Sequence, residues 1–294
     1  MRATAHILAN NAFYYYQDLV GATRFYTDVL GFPLVADYGF ARIVQAAPAS
    51  FLTLVDVNQG MHDAHEAKAV TTAFVTDELE AWYVYLTAQG VPMHRTFDPK
   101  PDSAHDGFVA LDPAGYFLEF ERFNVHAENM QLMPILNALP SRYPGRGHTC
   151  PTALGVKATV TWLYYNDMPR AQRWLEDVLG LSLLVDQGFA TVYQSSPSGF
   201  IGPVRAGDGL HAYAAEKLVT VSLITDDVEA WFARLSARDD VRLRHDEITL
   251  EGSHVELFVA YDPEGYFWEF DRFRETAVNQ EMQRLLGTAK QVGA

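Results

Sequence analysis

The chain is poor in cysteine and in basic residues. Cys150 is the only cysteine among 294 residues, so no disulfide can form within the chain. Lys and Arg number 22 against 37 Asp and Glu, which gives a net charge of −15. Proteins that bind nucleic acid through its phosphates need clustered Lys and Arg. We therefore expect no nucleic-acid partner.

Long apolar runs are also absent. No stretch of 18 consecutive apolar residues occurs, and residues 1–11 lack the apolar segment of a signal peptide. These absences predict a soluble cytoplasmic protein without a membrane partner. What the chain does contain is 49% hydrophobic and 13% aromatic residues, which is typical of a folded protein. Its length suffices for two domains with full cores.

The sequence is a tandem duplication. Residues 112–123 (DPAGYFLEFERF) return 150 positions later as residues 262–273 (DPEGYFWEFDRF). The segment DVLG at 28–31 likewise returns at 177–180. We predict a first domain at 1–140 with a C-terminal helix, a linker at 141–155 rich in Pro, Gly, Ser and Thr, and a second such domain at 156–294.

Each half contains two copies of a smaller pattern, which is a strand, a helix and three further strands. In the first copy Asp18 is the predicted helix N-cap and Gly31 the predicted stop. The apolar residues between them follow helical spacing: Ala22, Phe25, Tyr26, Val29 and Leu30. The predicted caps of the other three helices are Asp77, Asp167 and Asp227. Helical tails follow each half, with Asn129 and Asn279 at matching places.

Four βαβββ units, a helix ending in VLGF or VLGL, and a closing DPxGYxxE motif resemble the vicinal oxygen chelate superfamily. Its members include glyoxalase I, extradiol dioxygenases and bleomycin-resistance proteins. The resemblance implies an α+β fold in which the four units pair into two half-open barrels. It also implies a cleft in each barrel, where the metalloenzymes of the family bind one divalent transition metal and a small molecule with two vicinal oxygens.

The resemblance implies metal ligands on four strands of each half, and most of these positions hold no ligand here. The last strand keeps Glu119 and Glu269. At the other positions the family would have His or a carboxylate. Here the first-strand position holds Asn11 and Val160, the fourth-strand position Thr53 and Gly202, and the fifth-strand position Thr71 and Thr220. One carboxylate cannot hold a catalytic divalent ion, so we expect no cofactor. If a metal does bind, the candidate ligands are Glu119, Glu269, His62 and His211, the two histidines recurring in matching loops. Those histidines can equally cap nearby carbonyls.

Strand alternation predicts what lines the clefts instead. In phase with Asn11 are Phe13 and Tyr15, and in phase with Val160 are Trp162 and Tyr164. Phe117 and Phe267 stand beside the two glutamates in the same phase. These aromatic residues either fill the barrels as core or form a stacking pocket for a planar aromatic or cationic molecule. The glutamates are either structural or, with a pKa raised by an apolar site, possible general bases.

Three functions therefore compete. The first is a metal-independent small-molecule binding protein of the bleomycin-resistance type. The second is a glyoxalase- or dioxygenase-like enzyme with a nonstandard metal or acid–base site around Glu119 and Glu269. The third is a structural module that presents its tail helices to partners. A tandem chain already contains the halves that smaller relatives bring together from two chains, so a monomer is expected as readily as a homodimer.

Overall fold

The computed structural model describes residues 6–100, 102–146 and 148–292. Its elements fall into four units. Unit 1 comprises β1 (Ile7–Tyr16), α1 (Leu19–Arg24, continued by a π-turn at Phe25–Val29), β2 (Leu34–Asp37), β3 (Ala41–Ala47) and β4 (Ser50–Asp56). Unit 2 comprises β5 (Val70–Val75), α2 (Leu79–Ala88), β6 (Met93–Arg95), β7 (His105–Leu111), β8 (Phe117–Phe123), a 3₁₀ turn (Ala127–Asn129) and α3 (Leu132–Ala138).

The second half repeats this order. Unit 3 comprises β9 (Ala158–Tyr165), α4 (Met168–Arg173, with a π-turn at Trp174–Val178), β10 (Ser182–Asp186), β11 (Thr191–Gln194) and β12 (Gly199–Arg205). Unit 4 comprises β13 (Thr220–Thr225), α5 (Val228–Ser236), β14 (Arg242–Leu243), β15 (Thr249–Glu251), β16 (Val255–Tyr261), β17 (Phe267–Phe273), a 3₁₀ turn (Ala277–Asn279) and α6 (Gln280–Val292). The α+β fold of four βαβββ units is confirmed, with β15 as an addition in unit 4.

The two sheets each combine one unit from either half of the chain. The first sheet has the order β14-β16-β17-β13-β1-β4-β3-β2, so unit 1 pairs with unit 4. The second has the order β10-β11-β12-β9-β5-β8-β7-β6, so unit 2 pairs with unit 3. The joining pairs, β1 with β13 and β5 with β9, are antiparallel. The boundary between the repeats at residues 141–155 is therefore not the boundary between the barrels.

Local signals place the helix ends as predicted, with one exception. Asp18, Asp167 and Asp227 each accept a backbone N–H of the first turn. Gly31 and Gly180 have φ of 69° and 76°, the left-handed conformation that ends a helix. The prediction of Asp77 as a cap is wrong. Helix α2 begins one residue later, after Glu78, whose N–H donates to the hydroxyl of Thr76.

The repeated DPxGY motif joins the two halves of the chain. Asp112 Oδ1 accepts the N–H groups of Ala114 and Tyr116, which shapes the turn, and its Oδ2 accepts the hydroxyl of Tyr16 at 2.6 Å. The Tyr116 hydroxyl accepts the Tyr15 N–H and donates to the carbonyl of Leu218, on the far half of the chain. Tyr266 does the same with the Tyr164 N–H and the carbonyl of Ala69.

The tail helices close one end of each barrel. Met282 and Leu286 of α6 are buried against inner-face residues of the first sheet such as Leu8 and Phe51. Leu132 and Leu136 of α3 are buried in the corresponding cluster of the second sheet. These apolar faces are thus occupied within the chain, which removes the main support for a partner platform or for dimerisation through the tails.

The matching asparagines anchor the tails to the strands before them. Asn129 Nδ2 donates to the carbonyls of Ala104 and Asn124, and Asn279 Nδ2 donates to those of His254 and Arg274. In the part of the chain that the structure covers, no helix is both long and apolar enough to cross a membrane.

Tyr116→Phe tests the link between the halves. The substitution leaves the Tyr15 N–H and the Leu218 carbonyl buried without their shared partner, so we expect a loss of about 1–3 kcal/mol in the free energy of unfolding in urea. Tyr143→Phe is the control, because the Tyr143 side chain is exposed and its hydroxyl contacts only the exposed Glu78 carboxylate. Equal stability of the two variants would contradict a structural role for this hydroxyl.

Candidate ligand-binding cleft

The first cleft is the inner face of the first sheet, and it contains a cavity of about 600 Å³. The walls are mainly aromatic and aliphatic, and the inward side chains come from β1, β3, β4, β16 and β17. Residues of the β2–β3 turn and of β15 form the rim. Aromatic residues that line it are Phe13, Tyr15, Tyr38, Phe40 and Phe273. Its polar groups include Thr53, Glu251, His254, Glu269 and Asp271.

The predicted site residues divide between the two clefts. Phe13, Tyr15, Thr53 and Glu269 line the cavity in the first cleft. Asn11, Thr220 and Phe267 lie on the same inner face by strand register. The second cleft, the inner face of the second sheet, holds the set from units 2 and 3: Thr71, Phe117, Glu119, Val160, Trp162 and Tyr164.

Trp162 fills part of the second cleft. Its ring lies directly over Gly202 on the neighbouring strand, so closely that a Cβ built on Gly202 would be 2.0 Å from Trp162 Cε3. Val160, Trp162 and Tyr164 join one buried cluster with the tail-helix residues Leu132 and Leu136. In the first cleft the matching positions hold Phe13 and Thr53, which leave the space open.

Strand register shows which residues lie in line with the glutamate of each cleft. In the first sheet, Glu269 on β17 pairs with Ser222 on β13, and Ser222 pairs with Asn11 on β1. In the second sheet the row through Glu119 meets Ala73 and Val160. The fifth-strand position opposite the glutamate is therefore Ser222 or Ala73, two residues beyond Thr220 or Thr71. Those threonine hydroxyls instead bond to the hydroxyls of Tyr15 and Tyr164.

A second carboxyl group accompanies each glutamate. Asp271 follows Glu269 by two residues, so both side chains face the first cleft, and Glu121 stands beside Glu119 in the same way. Asp271 Oδ2 accepts the Ser222 hydroxyl at 2.6 Å, whereas its buried Oδ1 has no hydrogen-bond donor. The alternation along β8 and β17 that predicts Phe117 and Phe267 as inward residues also predicts Glu121 and Asp271 as inward residues. These two carboxyl groups were not among the predicted site residues.

Burial is the largest cause of the raised pKa values in both carboxyl pairs. Desolvation raises the pKa of Glu269 well above its usual range, and the neighbouring Asp271 charge raises that pKa further. Burial also raises the pKa of Asp271, to about 6. Because the two groups lie within hydrogen-bonding reach, a proton on Glu269 can be shared with the ionised Asp271. Burial thus favours a pair that keeps one proton over a pair of two ionised carboxylates.

An arginine complements the corresponding pair in the second cleft. Arg95 on β6 places a guanidinium nitrogen 2.5 Å from Glu119 Oε1. Burial raises the pKa of Glu119, and the Arg95 charge opposes this shift. Glu121 has its pKa raised well above the usual range by burial and by the Glu119 charge. The two clefts therefore hold similar carboxyl pairs in different ionic surroundings.

The loop histidines pack against the cleft aromatics. His62 contacts the rings of Tyr15 and Phe267, its Nε2 lies 3.1 Å from the Thr220 hydroxyl, and its Nδ1 lies 2.5 Å from Glu66. His211 stacks on Phe117, and burial lowers its pKa to about 4.

The donor set does not fit the divalent metal that the family implies. The Asn11 amide donates to the Thr53 hydroxyl at 2.8 Å, Ser222 donates to Asp271, and Glu269 is paired with Asp271. Within the described residues, no three His, Cys, Asp or Glu side chains converge in an arrangement that could hold a metal ion. The four candidate ligands also divide between the barrels, since Glu119 and His211 belong to the second cleft and Glu269 and His62 to the first.

The fold and its two clefts define a glyoxalase-like protein in tandem form. Residues 5–120 match the family model of the Glyoxalase/Bleomycin resistance protein/Dioxygenase superfamily. Since the second half repeats the first, the chain is a tandem member of this superfamily. No curated protein is close enough in sequence to count as a match.

Solved structures show the same fold along the whole chain. Glyoxalase I from Zea mays aligns over 97% of this chain and 96% of its own, with a TM-score of 0.61 and 16% identity. A putative dioxygenase from Bacillus subtilis aligns over 98% of this chain and 91% of its own, with a TM-score of 0.63 and 14% identity. At such identities the likeness establishes the fold alone.

Asp271→Asn tests the cost of the buried carboxyl pair. The pKa of Asp271 is 3.8 in the unfolded chain and about 6 in the folded chain. At pH values between the two, the folded protein therefore binds more protons than the unfolded chain. Wild-type stability therefore falls as pH rises through this window, and the cost is complete above it. We expect the stability of the variant relative to wild type to rise by about 1–3 kcal/mol between pH 4 and pH 7 in urea unfolding.

Asp208→Asn is the matched control, because Asp208 is an exposed surface residue. Relative stability that rises equally in both variants, or that falls in Asp271→Asn, would show that Asp271 is not held protonated by burial.

Proposed function

We propose that the protein binds a small organic molecule in the first cleft without a metal. The single observation that carries this proposal is the cavity of about 600 Å³ with aromatic walls and a few polar groups on one side. Cavities of this size and composition are typical of small-molecule sites in proteins. The donor set supports metal independence, because within the described residues no three His, Cys, Asp or Glu side chains converge there and the cleft supplies only one carboxyl pair.

The second cleft supplies an internal comparison. It has the same strand order and a similar carboxyl pair, yet Trp162 fills the space over Gly202 that Phe13 and Thr53 leave open. Duplicated barrels can diverge in this way, with one retained for binding and the other for packing. We therefore assign ligand binding to units 1 and 4.

The double variant Phe13→Trp/Thr53→Gly transfers the packing of the second cleft into the first. Fragments found by ligand-observed NMR in the presence of EDTA should bind about tenfold more weakly or not at all, because the new indole occupies their space. The reverse double variant, Trp162→Phe/Gly202→Thr, is the control and should leave their affinity unchanged. Fragments that bind only after EDTA is replaced by a divalent metal would overturn metal independence, and binding unaffected by the first variant would place the site elsewhere.

A second candidate is an acid–base enzyme, favoured by one observation. The Glu269–Asp271 pair lines the cavity and holds a proton that it can transfer to or from a bound molecule. Glu119 is less suited, because Arg95 contacts it directly. Fragments that carry a hydrogen on carbon next to a carbonyl, incubated with the protein in D₂O, should then incorporate deuterium as seen by NMR. Exchange that persists in Glu269→Gln/Asp271→Asn would exclude the pair as its source.

A further inference from the structure

The first cleft contains a buried carboxylate oxygen that has no hydrogen-bond donor besides the neighbouring Glu269 carboxyl. Asp271 is 1% exposed, it lines the cavity, and its Oδ1 has no hydrogen-bond donor. The neighbouring Glu269 carboxyl can supply one only while it is protonated. A buried acceptor without a donor is destabilising, so a ligand that donates a hydrogen bond to this oxygen is favoured.

The same chain shows which group complements such a pair. In the second cleft the guanidinium of Arg95 lies against Glu119. In the first cleft Arg244 instead stands over the ring of Phe267, 5.6 Å from its centroid. Throughout residues 6–100, 102–146 and 148–292, no Lys, Arg or His nitrogen makes an ion pair with Glu269 or Asp271. Within these residues, the direct ion pair of the second cleft therefore has no counterpart in the first.

The groups that face the pair come from several elements. Tyr15 of β1 and Tyr38 beyond β2 present neutral rings, Ser222 of β13 presents a hydroxyl, and Glu251 of β15 adds a further carboxylate at the rim. Arg244 acts on Glu269 only through its field at longer range. Aromatic faces next to carboxylates attract cations rather than anions, and the net charge of −15 acts in the same direction.

We propose that the ligand of the first cleft is an organic cation, with a protonated amine or amidine held by Glu269 and Asp271 and a planar apolar body held by the aromatic walls. This inference rests on the proposed function and names its ligand class. The bound cation takes the place that Arg95 has in the second cleft.

Three tricyclic probes of similar shape test the ligand class. They are 9-aminoacridine, which is cationic at neutral pH, neutral acridone, and anionic acridone-4-carboxylate. Isothermal titration with the full-length protein at pH 7.5 in EDTA should show 9-aminoacridine binding at least about tenfold more tightly than acridone, with the anion weakest.

Two isosteric variants test whether Glu269 and Asp271 cause the preference for the cationic probe. Glu269→Gln and Asp271→Asn should each lower the ratio of 9-aminoacridine to acridone affinity about tenfold, and acridone binding reports that the cleft is still formed. Asp240→Asn, which removes a surface charge far from the cavity, should leave the ratio unchanged. Equal binding of cation and neutral probe, or a ratio that survives both variants, would overturn the inference and leave the proposed function standing. No binding by any probe, or binding unaffected by Phe13→Trp/Thr53→Gly, would overturn both.

Discussion

The fold depends on two antiparallel strand pairs that cross between the halves of the chain. Units 1 and 2 are joined by the segment 57–69 and lie in different sheets, and each completes its sheet with a unit from the other half. The β1–β13 and β5–β9 pairs make these joins. The hydroxyls of Tyr116 and Tyr266 reinforce them, since each bridges one half to the other through buried backbone groups. Both clefts exist only because the halves meet in this way.

Duplication let the two clefts diverge within one scaffold. The second keeps its carboxyl pair but complements it with Arg95, and its space is reduced by a tryptophan that requires glycine opposite. The first keeps the cavity and leaves its pair without an ion partner. Beside Glu269, the Asn11 amide donates to the Thr53 hydroxyl and the Ser222 hydroxyl donates to Asp271. The chemistry of each cleft therefore follows from a few inward positions on unchanged strands.

Desolvation gives the first cleft its chemical character. Ionising both carboxyl groups on one face of β17, among aromatic neighbours and without a direct ion-pair partner, costs free energy. A shared proton and an unfilled acceptor are the result. The same feature would serve a binding site for a cation and an acid–base centre, which is why the two functions proposed for the cleft rest on the same residues. A barrel that used its last-strand glutamate to hold a metal would have no such pair.

The sequence by itself determined the duplication, the four βαβββ units, the helix ends at Gly31 and Gly180 and the inward phase of the aromatic strands. These depend on local turn chemistry and on alternation along single strands, so they can be predicted without knowing which strands pair. Asp77 shows the limit even there, because α2 begins after Glu78 and no side chain caps its first turn. Only the tertiary structure decided that unit 1 pairs with unit 4, that Ser222 rather than Thr220 lies opposite Glu269, and that Trp162 closes one cleft while the other stays open. Those outcomes depend on strand register and packing between segments that are far apart in the chain. Tyr15 and Thr220, for example, are 205 residues apart. No local sequence pattern encodes such pairings.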